Sequence, residues 1–183
     1  MTSKDAIPTD EAFALALKER NLYRKNALCK FLLGELENQG KEKLIIDNLS
    51  IEHIMPQNSN LSTDWQTMLG VNWVTIKDKY LHTLGNLTLT GYNSELGDKP
   101  FTEKKKKLSD AQTKMVVLNS DVMSCDVWNE TSINQRAERL AKEILVLHKI
   151  EEPEVLVSFE DPRYKEYGCD NPEEATYKTP NYF

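Results

Sequence analysis

Two short strand-like segments followed by a helix constrain this fold more than any other feature of the sequence. β-branched and aliphatic residues predict a first strand over residues 49–54, which Pro56 would end. Alternating apolar and polar residues predict a second strand over residues 84–90, and helical spacing predicts a helix over residues 101–108. Because the rest of the ordered pattern is helical, the sequence predicts a mainly helical α+β domain.

Helical segments are predicted on both sides of this strand, strand, helix unit. Thr9 is expected to cap a first helix, and a second apolar stripe ends near Gly40, so residues 9–40 are expected to form an antiparallel helical pair. Ser62 is expected to cap a short helix, and an irregular stretch is expected after that helix, up to Tyr80. The last helix is predicted over residues 131–148.

Charge is distributed unevenly along the 183 residues and divides the chain in two. Residues 151–183 hold nine acidic and three basic residues, which accounts for the whole net charge of −6. Residues 1–150 hold twenty acidic and twenty basic residues and are therefore neutral overall. We therefore expect one domain over residues 1–150, with the strand, strand, helix unit at about 44–108, and an acidic tail or linker over 151–183. A neutral domain can still bind a polyanion if its basic residues cluster on one face.

Several protein classes are disfavoured by composition. No apolar run approaches the ~20 residues that span a bilayer, and the N-terminus does not have the pattern of a secretory signal, so a cytoplasmic protein without a membrane partner is expected. The three cysteines are far apart in sequence and match neither a disulfide framework nor a zinc motif. The fold is therefore expected to depend on its core alone.

Three segments carry side chains suited to phosphodiester hydrolysis. A neutral imidazole at His53 could serve as a base at neutral pH, and the carboxylate of Glu52 with the amide oxygen of Asn93 would suit Mg²⁺, with Mn²⁺ as the second choice. Adjacent strand residues point to opposite faces, so Glu52 and His53 could share a site only if the backbone bends at the strand end.

Each of these residues also has a purely structural interpretation. Glu52 could be a salt-bridge partner, Asn86 could close the turn after Gly85, and His82 could be structural or a secondary phosphate contact. The four lysines at 104–107 could be a solvated helix face, or at least one could contact phosphate. The candidates for nucleic-acid contact are Lys104, Lys105 and His82.

Residues 50–57 (SIEHIMPQ) and 82–96 (HTLGNLTLTGYNSEL), followed by Phe101 and Lys104, resemble the C-terminal nuclease domain of GmrSD-type restriction enzymes. The resemblance extends from about Thr9 to His148. It implies a ββα-metal (His-Me finger, HNH) core and a metal-dependent DNA endonuclease that restricts phage or modified DNA.

The resemblance also implies roles for particular residues. His53 matches the general base, Asn86 the residue that braces the loop behind it, and Glu52 and Asn93 the metal ligands, while Lys104 matches a position facing the phosphates. It further implies an N-terminal or separate ParB-like NTP-binding domain, which this chain does not contain. The alternative function is a non-catalytic DNA-binding or protein-interaction module that retains the nuclease fold.

Overall fold

The structure, a computed structural model, describes residues 8–39, 43–91, 96–109 and 116–149. Within these ranges the chain forms seven α-helices and one two-stranded antiparallel sheet, which confirms the expected mainly helical α+β class. None of the helices described is both long enough and apolar enough to cross a membrane. The predicted tail, residues 151–183, lies outside the described residues.

The elements follow one another along the chain in an order that places the sheet between helices. They are α1 (Asp10–Glu19), α2 (Asn26–Glu37), a 3-10 helix (Ile46–Asn48), β1 (Ser50–His53), α3 (Thr63–Leu69), α4 (Trp73–Tyr80), a second 3-10 helix (Leu84–Asn86), β2 (Leu87–Thr90), α5 (Phe101–Leu108), α6 (Val116–Ser124) and α7 (Glu130–Leu147).

Local capping signals account for where several helices begin. The Thr9 hydroxyl accepts from the Ala12 backbone N–H at 3.3 Å, and the Ser62 hydroxyl accepts from the Trp65 N–H at 3.5 Å, as predicted. Asn129 starts α7 with a reciprocal capping box, which satisfies two otherwise unpaired groups at the helix end.

Three expectations about the helices and strands were wrong. The stretch before Tyr80, expected to be irregular, contains α4, and α6 was not predicted. Helices α1 and α2 do not pack mainly as a pair, because α1 lies chiefly against α7 while α2 lies against α6, α7 and both strands. The second strand begins at Leu87, because the three residues before it form the 3-10 helix.

The two strands pair so that each face of the hairpin carries a different set of side chains. Glu52 is opposite Thr88 in the antiparallel register, and His53 is opposite Leu87. Strand alternation therefore puts Glu52 and Thr88 on one face and His53 and Leu87 on the other. Helices cover both faces, which explains why all four residues of β2 are buried.

The hairpin lies at the junction of two apolar clusters. Ile51 belongs to the cluster formed with α1, α2 and most of α7, whereas Ile54 and Met55 belong to the cluster formed with α3, α4 and α5. Helix α7 contributes to both, since Ile133 lies in the second cluster and Leu140 in the first. His53 thus sits where the chain passes from one cluster to the other.

Candidate active site

His53, the last residue of β1, is held in a group of three aromatic rings. Its Nε2 lies 3.0 Å from Nδ1 of His82, 29 residues along the chain. The Tyr23 ring meets the His53 ring edge-on at 4.6 Å between centroids and stacks on the His82 ring at 5.4 Å. The structure therefore brings together the predicted base and a histidine expected to contact nucleic acid.

The other ring nitrogen of His53 has no hydrogen-bond partner among the described residues. His53 is only 2% exposed, and its Nδ1 is buried without a hydrogen bond in the part of the chain that the structure describes. Burial is the largest cause that lowers the pKa of His53, and with charge repulsion from His82, Lys104 and Lys77 it brings that pKa to about 3. The ring is accordingly neutral at neutral pH.

Asn86 joins the segment after β1 to the segment before β2. Its side-chain oxygen accepts from the Met55 N–H at 2.7 Å and from the Trp128 indole N–H at 3.1 Å. Its amide donates to the carbonyl oxygens of Met55 and Leu81 at 3.1 and 2.9 Å. Two of the four bonds join Asn86 to the backbone of Met55, two residues after His53, so the side chain does more than close its own turn.

Arg136 anchors the same region from α7. Its guanidinium is fully buried and donates to the carbonyl oxygens of Leu84, Gly85 and Leu87 at 3.2, 2.9 and 2.8 Å, and to that of Leu118. These bonds satisfy buried carbonyl oxygens in the 3-10 helix, at the start of β2 and in α6. No sequence signal marked Arg136 as important to the site.

Glu52 is paired with Lys104 on the opposite face of the hairpin from His53. The Lys104 ammonium donates to Oε1 of Glu52 and to the His53 carbonyl oxygen, both at 2.7 Å, and Lys104 is 1% exposed. Burial raises the pKa of Glu52 and lowers that of Lys104, and the attraction between the two charges opposes both shifts. This arrangement does not favour the expected phosphate contact by Lys104, because its charge is already matched inside the protein.

The other expected nucleic-acid contacts are partly exposed. Lys105 donates to the Cys125 carbonyl oxygen at 2.6 Å, and Lys106 is exposed on the same helix. His82 is half-buried beside His53, and burial together with the charge of Lys77 lowers its pKa. Lys77 itself was overlooked, because the sequence around it was expected to be irregular.

The described residues do not by themselves form a site for a divalent ion. No group of three His, Cys, Asp or Glu side chains suited to a metal occurs among them, and the Glu52 carboxylate is bound to Lys104. The second expected ligand, Asn93, lies outside the described residues. Hard divalent ions require several oxygen ligands, so Mg²⁺ at this position remains a prediction.

Comparison with known proteins agrees with the motifs of the hairpin. The family model described as GmrSD restriction endonucleases, C-terminal domain, matches residues 7–143, a range that includes both strands and every site residue described above. No curated protein and no solved structure matches the chain. The match covers well over half of the sequence, and the chain belongs to the family of GmrSD restriction endonuclease C-terminal domains.

Proposed function

We propose that this domain hydrolyses DNA phosphodiester bonds, with Nδ1 of His53 as the general base. The observation that carries the proposal is the buried Nδ1 at the end of β1, which has no hydrogen-bond partner within the described ranges of the chain. A buried polar atom without a partner costs about 1–3 kcal/mol and needs a reason, and a lone pair kept free for a water molecule is such a reason. Membership of a restriction endonuclease family supplies the reaction class.

In the proposed reaction, Nδ1 of His53 takes a proton from water as the oxygen attacks phosphorus. The bond from phosphorus to the 3′ oxygen breaks, which leaves a 5′-phosphate and, once that oxygen has taken up a proton, a 3′-hydroxyl. Asn86 contributes by holding the Met55 backbone, and with it the adjacent strand end, in one position. In this proposal Asn86 acts through the backbone and makes no hydrogen bond to either ring of the histidine pair in the described structure.

A pKa of about 3 would make His53 a weak base, since general bases work best with a pKa near the operating pH. Part of the shift comes from the positive charges of Lys104 and Lys77. A DNA phosphate bound nearby would offset those charges and raise the pKa of His53 toward the useful range. The base would then gain strength when its substrate is in place.

The requirement for Mg²⁺ or Mn²⁺ is part of this proposal and rests on the family alone. The alternative, a DNA-binding module without turnover, is favoured by one observation: the carboxylate expected to hold the ion is neutralised by Lys104. The two functions differ in one measurable property, because binding without catalysis leaves supercoiled DNA intact.

The test compares the 183-residue chain with His53→Ala and with His148→Ala, an exposed histidine at the end of α7 that serves as the matched control. Supercoiled plasmid is incubated with Mg²⁺, with Mn²⁺ and with a chelator, and DNA affinity is measured separately by fluorescence anisotropy. We expect His53→Ala to lower the cleavage rate about 10² to 10⁴-fold with affinity retained, and His148→Ala to change neither. Full cleavage by a folded His53→Ala protein would refute the proposed mechanism, and binding without cleavage by the unmodified chain would support the alternative.

A further inference from the structure

The ring of His82, a half-buried residue, contacts the rings of His53 and Tyr23. Its backbone carbonyl oxygen accepts from the N–H groups of Leu22 and Tyr23 at 3.0 and 3.4 Å, which ties the residue to the connection between α1 and α2. The Tyr23 ring lies nearly parallel to the His82 ring, with 9° between the planes, and 72° from that of His53. Backbone bonds and a stacked ring thus hold the His82 imidazole in one orientation.

Two arrangements of protons are compatible with the 3.0 Å distance between the rings. If Nε2 of His53 donates to Nδ1 of His82, then Nδ1 of His53 carries a bare lone pair. If Nδ1 of His82 donates instead, Nδ1 of His53 carries a buried N–H group without an acceptor among the described residues. Buried N–H groups without an acceptor are rare in proteins, and the first arrangement avoids one, so we favour it.

We propose that His82 is a positioning residue, whose Nδ1 accepts the Nε2–H of His53 and so fixes the tautomer that leaves Nδ1 of His53 free to accept a proton. This inference rests on the proposed nuclease function. The second nitrogen of a histidine decides the state of the first through the hydrogen bond that it makes. After proton uptake the same hydrogen bond has a charged donor, and it stabilises the imidazolium.

Transfer of the shared proton onto His82 is not part of the proposal. Such a transfer would leave His53 with hydrogen on Nδ1 and the lone pair on Nε2, which is the tautomer that cannot activate water. The hydrogen bond therefore has to hold the proton on His53, as the carboxylate does in a serine protease triad.

The experiment replaces His82 with two residues in the 183-residue chain. His82→Asn offers an oxygen at about the place of Nδ1 and keeps an acceptor, whereas His82→Leu removes it. The first measurement is the ¹⁵N spectrum of the His53 ring in metal-free protein without DNA. We expect the unmodified chain and His82→Asn to show hydrogen on Nε2 of His53, and His82→Leu to show a mixture of tautomers or hydrogen on Nδ1.

The second measurement separates cleavage rate from DNA affinity. We expect His82→Leu to lower kcat at least about tenfold with little change in affinity, and His82→Asn to recover to within about threefold of the unmodified chain. Melting temperatures of both variants show whether a loss of kcat comes from unfolding. If His82→Leu is unfolded, the kcat of His82→Asn and its ¹⁵N spectrum decide whether His82 sets the tautomer of His53.

Three outcomes would overturn the inference. One is a His53 tautomer that His82→Leu leaves unchanged. Another is a loss of DNA affinity at constant kcat, which would make His82 the phosphate contact that the sequence suggests. The third is failure of His82→Asn to restore what His82→Leu loses. If the unmodified chain cleaves nothing, the proposed function fails, and the ¹⁵N spectra alone decide whether His82 sets the tautomer of His53.

Discussion

The buried pair of Lys104 and Glu52 gives the sharpest prediction about stability. Lys104→Met keeps the length of the side chain but removes its charge, which leaves the carboxylate of Glu52, 5% exposed, without its counter-ion. Breaking a buried ion pair by removing one partner costs about 3–5 kcal/mol, because a charge then remains unpaired in a poorly solvated site. In a domain of this size that loss lowers the melting temperature by roughly 10 °C.

The double variant Lys104→Met/Glu52→Met separates the charge effect from packing. It leaves no unpaired charge, and what it loses is mainly the bond from Lys104 to the His53 carbonyl oxygen. We expect the double variant to be about 1–2 kcal/mol less stable than the unmodified chain, and so more stable than Lys104→Met alone. The free energy of unfolding is measured by urea titration with far-ultraviolet circular dichroism, in the presence of a chelator.

A surface pair on α7 provides the control. Nζ of Lys142 lies 2.9 Å from Oε1 of Glu138, and both side chains are more than half exposed. Lys142→Met should therefore lower the free energy of unfolding by less than about 1 kcal/mol. If Lys104→Met costs no more than Lys142→Met, or if the double variant is as unstable as Lys104→Met, the pair does not stabilise the fold through its charges.

The pH dependence of Lys104→Met follows from the same reasoning. Burial already raises the pKa of Glu52, and loss of Lys104 would raise it further because the lysine charge opposes that shift. An acid with a raised folded pKa contributes its stability below the unfolded pKa and loses it as the pH rises through the folded pKa. The loss of folding free energy in Lys104→Met, relative to the unmodified chain, should therefore become smaller as the pH falls from 8 to about 5.

Three further predictions concern other parts of the site. A Cβ on Gly85 would collide with the Ile133 carbonyl oxygen, so Gly85→Ala should lower the free energy of unfolding, measured by urea titration, by about 1–3 kcal/mol. A Cβ on Gly91 would lie 3.9 Å from its nearest neighbour, a Leu49 methyl group, so the control Gly91→Ala should lower it by only about 0.5 kcal/mol. The depressed pKa of His53, about 3, means that its neutral ring supports folding above the unfolded value near 6.5 and loses that contribution as pH falls toward 3. In metal-free protein the loss reaches about 2 kcal/mol at pH 5, and His53→Asn should flatten that part of the stability profile. Lys77→Met should reduce the slope of log DNA affinity against log salt by about one if Lys77 contacts phosphate, and an unchanged slope would exclude that contact.

Local signals in the sequence predicted the elements that local interactions determine. Helix α5 begins and ends where the apolar spacing of Phe101 and Leu108 indicated, and Thr9 and Ser62 cap the helices expected of them. Helix α4 carried a usable signal that was overlooked, because Trp73, Ile76 and Tyr80 recur at helical spacing. The run of β-branched residues Val74, Thr75 and Ile76 gave that segment a low helical propensity, and packing on the second apolar cluster outweighed it.

The rest depends on contacts between distant residues. Residues 84–86 form a 3-10 helix rather than the start of a strand, and the carbonyl oxygens of Leu84 and Gly85 in it accept from Arg136, some fifty residues later. The motifs identified His53 and Asn86, but the pairing of His53 with His82 needs the whole fold. Lys104 is an intermediate case: it shares the buried face of α5 with Phe101 and Leu108, at spacings of three and four residues, and that face could have been recognised within the lysine run.

The charges next to the histidine pair connect the neutral composition of the domain with the chemistry proposed for it. Lys77 and Lys104 are buried cations whose repulsion lowers the pKa of His53, and Lys77 also lowers that of His82. Cations in a poorly solvated site produce a stronger local potential than the same charges on a wet surface. A domain with no net charge can in this way attract a phosphate to one point, where the arriving negative charge would relieve the repulsion that adds to burial in lowering the pKa of His53. In the unliganded protein, burial together with this repulsion keeps the imidazole neutral, as the proposed role of Nδ1 as a base requires.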